Sequence, residues 1–177
     1  MSNNSNSLPV RLLVFNAVWF QIGWFTCVLF GNIAALVFAI ASIMVYTFLI
    51  PIRLQEWKLF LSVVLLGFCV DTFLASLNVL VFPSGTVFPP VWLITLWFLF
   101  ATTLNSSLRK ITNRLFLLTS LGCLGGTLSY YAGVRLTAVE LGLNLIPSLF
   151  ILAFTWAAVS VGIHYLYRYW INERVAA

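Results

Sequence analysis

Charged residues are the scarcest class in this sequence, and their scarcity excludes a soluble globular domain. Only 7% of the 177 residues are charged, whereas 62% are hydrophobic. A soluble domain needs about a quarter of its residues charged to cover its surface. With a mean hydropathy of +1.06, most of the chain must have hydrocarbon as its solvent. The composition therefore predicts an all-α integral membrane protein, with a single transmembrane domain over residues 1–177.

Residues that bind metals or act as nucleophiles are also few. The chain has one histidine, His164, and three cysteines that lie in separate apolar runs. It contains no H-E-x-x-H, G-x-S-x-G, phosphate-loop or dinucleotide motif. The net charge of +5 comes from basic residues scattered between apolar runs, so no basic face is formed for nucleic acid. We expect no metal, no cofactor and no nucleic acid, and the sequence assigns no catalytic residue.

Six apolar runs are long enough, or nearly so, to cross about 30 Å of hydrocarbon as helices. They lie near 12–30, 33–50, 59–81, 90–108, 115–133 and 146–166. Gly31 and Asn32 leave only a very short connection, which predicts an antiparallel hairpin of the first two helices. Whether both helices of this hairpin fully span the bilayer is left open.

The basic residues predict the orientation of the helices. If the N-terminus is cytoplasmic, eight of the nine basic residues fall on the cytoplasmic side, as the positive-inside rule requires. These are Arg11, Arg53, Lys58, Arg109, Lys110, Arg114, Arg168 and Arg174, and only Arg135 lies outside. We therefore predict a six-helix transmembrane bundle with a cytoplasmic N-terminus and a cytoplasmic C-terminus.

Asp71 is the acidic residue at the greatest membrane depth, about 12 residues into the third predicted helix. An aspartate at the bilayer centre costs roughly 3 kcal/mol, so its side chain must face the bundle interior or a water-filled cavity. Gly67, Asp71 and Ala75 are spaced by four residues, and Asn78 continues the same narrow face. Hydrogen bonding between helices is the favoured interpretation of Asp71. A proton, ion or substrate role is the alternative.

Residues at the same depth on other helices predict a polar layer around Asp71. Counting from the cytoplasmic ends places Gln21, Thr95, Thr127 and Thr155 at that level. Nearer the cytoplasm, the polarity of "WFLFATTLNSSLRK" rises as its helix leaves the membrane. Asn105 in this stretch is a candidate for closing the inner end of a cavity.

The segment "GCLGGTLSYYAG" contains two series of small residues at helical spacing. Gly122 and Gly126 form one series, and Gly125, Ser129 and Gly133 form the other. Small residues four apart let a second helix approach closely, and helix packing is the favoured interpretation. The alternative is that the bare backbone contacts an acyl chain or a headgroup, with the hydroxyls of the adjacent tyrosines taking part.

Arg135 and Glu140 are the charges predicted for the outer rim, where Tyr130 is a further lipid candidate. A solvated loop is favoured because exposed ion pairs contribute little. The alternatives are an Arg135–Glu140 ion pair or a lipid phosphate bound by Arg135.

Four ordered motifs resemble a family of small bacterial inner-membrane proteins catalogued only as a domain of unknown function. They are "FQIGWFTCVL", "GFCVDTFLASLNVLVFP", "WFLFATTLNSSLR" and "GGTLSYYAGVRL". The resemblance implies a single-domain bundle in the bacterial inner membrane, with no established activity or catalytic residues. It also implies gene neighbourhoods that contain cyclopropane-fatty-acid-synthase-like enzymes and other lipid- or stress-related proteins.

Three functions are consistent with these observations. The favoured one is an accessory or lipid-interacting component of membrane-lipid modification or of an envelope stress response. Its expected partners are membrane lipids, with a second copy or a lipid-modifying protein as a further partner. The alternatives are a small lipid-modifying enzyme and a proton-coupled transporter that uses Asp71.

Overall fold

The structure is a computed structural model that describes residues 9–49 and 52–173, so Arg174 lies outside the described residues. Helices account for most of these residues. In chain order the elements are α1 (Val10–Met44), α2 (Leu54–Ser76), β1 (Leu80–Val81), α3 (Val91–Leu104), α4 (Arg109–Thr112), α5 (Leu115–Leu121), α6 (Thr127–Leu136), β2 (Glu140–Leu141) and α7 (Leu145–Tyr167). Three π-helical segments, Val45–Leu49, Gly122–Gly126 and Arg168–Glu173, extend α1, join α5 to α6 and extend α7.

Among the described residues, four helices are long and apolar enough to cross a membrane. They are Val10–Phe48, Leu54–Ser76, Leu115–Leu136 and Leu145–Ile171, and α3 is a shorter apolar helix. Large apolar side chains cover their outer faces, including Phe30, Phe116 and Phe154, which are all exposed. Such a surface would be unstable in water and indicates a multi-helix membrane protein.

The predicted hairpin is present within α1, whose chain reverses at Gly31 (φ 72°, ψ −155°). A first arm, residues 10–30, packs against a second arm that begins at residue 32. Trp19 Nε1 donates a hydrogen bond of 2.9 Å to Ser42 Oγ, and the Trp19 and Phe38 rings lie 4.8 Å apart. These partners lie on either side of Gly31, so the two arms run antiparallel.

The third predicted helix differs in position: α2 spans Leu54–Ser76, whereas the apolar run predicted 59–81. Asn78 adopts a left-handed conformation (φ 56°), and the amide of Val79 bonds to the carbonyl of Leu74 at 2.9 Å. This arrangement terminates a helix, and asparagine tolerates it better than most residues do. Asn78 is therefore exposed beyond the helix and does not continue the face of Asp71.

A short antiparallel ribbon follows α2 and closes one end of the bundle. Leu80 pairs with Leu141, and Val81 pairs with Glu140. The side chains of Leu80 and Val139 are buried in a cluster with Leu93 of α3 and Leu152 of α7. The ribbon thereby connects the α2 and α6 ends to the core.

Helix α3 is the centre of the bundle. It packs against α1 on one side and α2 on another, while α7 packs against α2, α5 and the Gly122–Gly126 segment. At the opposite end from the ribbon, His164 Nδ1 lies 2.8 Å from the carbonyl oxygen of Thr112, which joins α7 to α4. The lone histidine thus has a structural partner.

We expect Gly31→Ala to destabilise the hairpin, because its φ of 72° is disfavoured for residues with a side chain. A cost of about 1–3 kcal/mol is typical of such strain. Thermal unfolding of the protein in detergent measures the effect. Gly162→Ala is the matched control, since that glycine is helical and a methyl group there would make only ordinary contact with Leu66. Equal melting temperatures for the two variants would contradict this explanation of the reversal.

Candidate functional site

A cavity of about 620 Å³ lies between the first arm of α1, α3, the α5–α6 segment and α7. Aliphatic and aromatic side chains make up most of its lining, and the aromatic ones include Phe20, Trp24, Trp92, Trp97, Phe100 and Trp156. None of the described residues that line it carries a charge. The chemistry of the lining is therefore that of an apolar binding site with a few hydroxyl and amide groups.

The cavity is elongated along the helix axes. On α3 its lining extends from Trp92 to Thr103, which corresponds to about 17 Å at 1.5 Å per residue. This length is more than half of the roughly 30 Å thickness of a bilayer's hydrocarbon core. A flexible apolar chain fits such a shape better than a compact molecule does.

Asp71 lies behind the cavity wall. Its side chain is fully buried (0% exposed), and it does not belong to the lining. Trp97 Nε1 donates a hydrogen bond of 2.8 Å to Asp71 Oδ2, and the hydroxyl of Tyr130 donates to Asp71 Oδ1. The rings of Trp97 and Tyr130 both line the cavity. Asp71 thus holds in place Trp97 and Tyr130, two residues that line the cavity.

Trp97, Tyr130 and Trp156 form one continuous surface, here called the aromatic wall. Trp97 stacks on Trp156 with ring centroids 5.2 Å apart and an interplanar angle of 12°. Tyr130 meets Trp156 edge to face at 5.7 Å. Offset stacking and edge-to-face contact are the favoured arrangements of aromatic pairs. The three rings therefore restrain one another.

Two glycines make room for the aromatic wall. A methyl group at Gly67 of α2 would overlap the indole ring of Trp97, and one at Gly126 would overlap the ring of Trp156. A glycine at each of these positions lets the neighbouring helix carry a tryptophan at close range. The contact with Trp97 explains the glycine at position 67, one turn before Asp71.

The two series of small residues on α5–α6 have different environments. A side chain at Gly122 would overlap Ser160 of α7, and Gly126 faces Trp156, so this series packs against α7. At Gly125 and Gly133 no atom beyond the adjacent residues and the backbone of their own helix lies within 4 Å of the position that a Cβ would occupy. Both of these glycines line the cavity. The series of Gly122 and Gly126 therefore packs against α7. In the other series, Gly125 and Gly133 present their backbone to the cavity.

Ser129 belongs to the second series and connects α6 to the first arm. Its Oγ accepts a hydrogen bond of 2.9 Å from Trp24 Nε1. This bond joins two walls of the cavity, on α1 and α6. On its ribbon side the lining includes the buried Val28 and Gly133, and on its other side the lining includes the exposed Gln21 and Gly125.

The residues predicted to surround Asp71 occupy other positions. Gln21 lines the cavity but is exposed, Thr95 is buried, and the Thr127 hydroxyl bonds to the carbonyl of Cys123 at 2.6 Å. Among the described residues, neither these side chains nor Thr155 forms a hydrogen bond with Asp71. Counting residues from the helix end predicts the membrane depth of a side chain. It does not predict the direction in which that side chain points around the helix axis.

The partners that sequence reasoning missed are Trp97 and Tyr130. A buried tryptophan or tyrosine needs a hydrogen-bond acceptor for its polar group. Trp97 lies two residues from the predicted level of Thr95, so its N–H was an available signal. Tyr130 was predicted at the outer rim, whereas its hydroxyl reaches the carboxyl of Asp71.

Asn105 lies outside the cavity lining. It follows the last residue of α3, and its Oδ1 accepts a hydrogen bond of 2.8 Å from the hydroxyl of Tyr167. The neighbouring end of the cavity is bounded by Ser107, whose Oγ donates to Asn16 Oδ1 at 2.7 Å. Asn16 also donates to the hydroxyl of Tyr46 at 2.6 Å, which ties both arms of α1 to this end.

Arg135 and Glu140 lie at the ribbon end of the bundle. Arg135 is in the last turn of α6, Glu140 is in β2, and both are exposed. Across residues 9–49 and 52–173, no ion pair joins them.

Residues 13–161 match a family model described as "Protein of unknown function (DUF2878)". No curated protein and no solved structure matches the chain. The match covers the hairpin, the cavity and the aromatic wall.

Replacing Asp71 with leucine is expected to destabilise the protein, because the N–H of Trp97 and the hydroxyl of Tyr130 would lose their acceptor. A buried unsatisfied polar group costs about 1–3 kcal/mol. Asp71→Asn keeps one carboxamide oxygen as an acceptor, so this variant should lose less stability than Asp71→Leu. Thermal unfolding in detergent, followed by tryptophan fluorescence, measures both variants. Equal stability of wild type and Asp71→Leu would refute the structural role.

Neighbouring glycines provide a matched pair for the two small-residue series. Gly126→Ala places a methyl group into the ring of Trp156 and should cost about 1–3 kcal/mol. Gly125→Ala enters open space and should leave the stability equal or higher, since alanine is the better helix former. Melting temperatures in the same detergent compare the two. A larger loss for Gly125→Ala would reverse the assignment of the two series.

Proposed function

We propose that this chain, which belongs to the DUF2878 family, is a membrane protein that holds an apolar lipid chain in its cavity. The observation that carries the proposal is the elongated, uncharged cavity of about 620 Å³ between helices that are apolar enough to span a membrane. We place it as an accessory, lipid-interacting component of membrane-lipid modification or of an envelope stress response.

The size and lining of the cavity support this proposal. Ligand sites in proteins commonly enclose about 300–1,000 Å³ and are lined by apolar and aromatic side chains. Here the polar groups of the lining are neutral and include Gln21, Ser129 and Tyr130. A hydrocarbon chain would contact the aromatic wall without leaving a charge unpaired.

Access from the bilayer also supports a lipid as the ligand. Ala17 and Gln21 on the first arm are exposed, as are Leu121 and Gly125 on the opposite side of the cavity. If the helices span a bilayer, these exposed lining residues would contact lipid. A lipid chain would enter sideways without first crossing water.

Binding is favoured over catalysis and over proton-coupled transport. Asp71 is fully buried behind the aromatic wall, and both of its carboxyl oxygens accept hydrogen bonds. A catalytic acid or base must reach a reacting atom, and a transport carboxyl must exchange its proton with water. The position of Asp71 suits neither task in this conformation, whereas it suits the support of a binding surface.

For the topology we propose six spans with both termini in the cytoplasm of a bacterium whose inner membrane holds the protein. The two arms of α1, together with α2, α3, α5–α6 and α7, provide six helical segments. Several basic residues gather at one end of the bundle, where the Lys58 ammonium lies 5.3 Å from the ring centroid of Trp170. Arg135 lies at the other end, which supports the cytoplasmic assignment of the basic end.

Native mass spectrometry of the protein in mild detergent tests the binding proposal. We expect phospholipid to remain bound to the wild type and to be lost at least 10-fold more readily from Gly125→Phe, whose ring would occupy the cavity. Leu128→Phe is the control that introduces the same ring elsewhere on α6, because Leu128 is exposed and outside the lining. Equal lipid retention by both variants, or no lipid on the wild type, would reject the proposal.

A further inference from the structure

We propose that the lipid is an anionic phospholipid with a single orientation in the cavity. The tip of an acyl chain lies toward the ribbon, and the phosphate lies at Lys110 and Arg114. This inference rests on the proposed function, because it names the lipid and its orientation within that cavity. The observations that carry it are the unequal exposure of the two halves of the cavity and the distribution of charge around them.

The half of the cavity nearer the ribbon is closed. It lies beyond the hydrogen bond between Trp24 and Ser129 and is lined by the buried residues Val28, Leu80, Leu93, Gly133 and Val139. Gly133 is buried although no atom beyond the adjacent residues and the backbone of its own helix lies within 4 Å of the position that its Cβ would occupy. The empty space next to this glycine is therefore enclosed by protein, and it suits the narrow tip of a hydrocarbon chain.

The half on the other side of the Trp24–Ser129 hydrogen bond is open. It contains Ala17, Gln21, Leu121 and Gly125, all of which are exposed. A headgroup cannot enter the closed half, because the lining there is apolar and provides no partner for a charge. An acyl chain that enters through the open half therefore has its tip in the closed half and its headgroup at the opposite end.

Two exposed cations are close in the chain to residues that line the headgroup end of the cavity. Leu108 and Ile111 line the cavity, and the exposed Lys110 lies between them in the chain. Exposed Arg114 directly precedes α5, whose residue Leu118 lines the cavity one turn later. Long flexible ammonium and guanidinium side chains at this end suit a phosphate that stays outside the uncharged lining. Charge complementarity thus favours an anionic phospholipid over a zwitterionic one.

Arg135 provides the contrast at the other end. It is exposed and lies in the last turn of α6, two residues beyond Gly133 of the closed half. The buried side chains of Leu80 and Val139 close the cavity at this end. A phosphate at Arg135 would therefore have no continuous path for its acyl chain into the cavity, and Arg135 serves as the matched control.

The test titrates detergent-solubilised protein with phosphatidylglycerol and with phosphatidylcholine of identical chains, and reads bound lipid by native mass spectrometry. We expect wild type to prefer phosphatidylglycerol. The double variant Lys110→Gln/Arg114→Gln should lose about 25-fold of that affinity, at about 5-fold per cation. Phosphatidylcholine should lose less, because its choline cation already offsets the charge of the phosphate. Arg135→Gln should bind both lipids as wild type does. Both sites are exposed, so the variants are expected to fold.

A chain-length series tests the orientation separately. Gly133→Leu fills the closed half and should shift binding from long-chain to short-chain phosphatidylglycerol, whereas the headgroup preference should remain. If Arg135→Gln weakens binding as much as the double variant does, or if Gly133→Leu leaves the chain-length preference unchanged, the orientation is wrong. Wild type that binds both lipids equally and loses both in Gly125→Phe would overturn the inference but retain the proposed function. Wild type that binds neither lipid would reject the proposed function itself.

Discussion

The interior of this protein depends on the two hydrogen bonds that the carboxyl group of Asp71 accepts. An acidic side chain among apolar helices is costly unless its oxygens are hydrogen-bonded. The indole N–H of Trp97 and the hydroxyl of Tyr130 have the same need, since no water is available at membrane depth to satisfy them. Each of the three groups therefore satisfies another. The result is a rigid junction of α2, α3 and α6.

The cavity is a consequence of how this junction fixes large rings next to glycines. Trp97 and Trp156 are held against Gly67 and Gly126, where any side chain would displace a ring. On the neighbouring face of α5–α6, Gly125 has no side chain, and no ring from another helix fills the space beside it. Glycine thus permits close packing on one face of the helix and leaves cavity space on the next, because the two faces have different neighbours.

The helical organisation was predictable from the sequence because hydropathy reports which segments can exist in hydrocarbon. The reversal at Gly31 was also predictable, since a two-residue connection between apolar runs allows little else. The end of α2 was not, because the left-handed conformation of Asn78 stops the helix while the sequence stays apolar through Val81. Asp71 was identified by its depth alone. Its partners could not be, because hydropathy contains no information on how each helix is rotated about its axis.

The same geometry separates the acidic group of the interior from the cavity. The described lining offers hydroxyl and amide groups but no charged side chain, and Ser160 in that lining donates to the carbonyl of Trp156 at 2.7 Å. A nucleophile needs a neighbouring base to become reactive, and the described lining provides no such pair. Asp71 has the acid–base character but is held away from the cavity by the two rings that it fixes. The carboxyl group of Asp71 therefore supports the aromatic surface of the cavity without lining it.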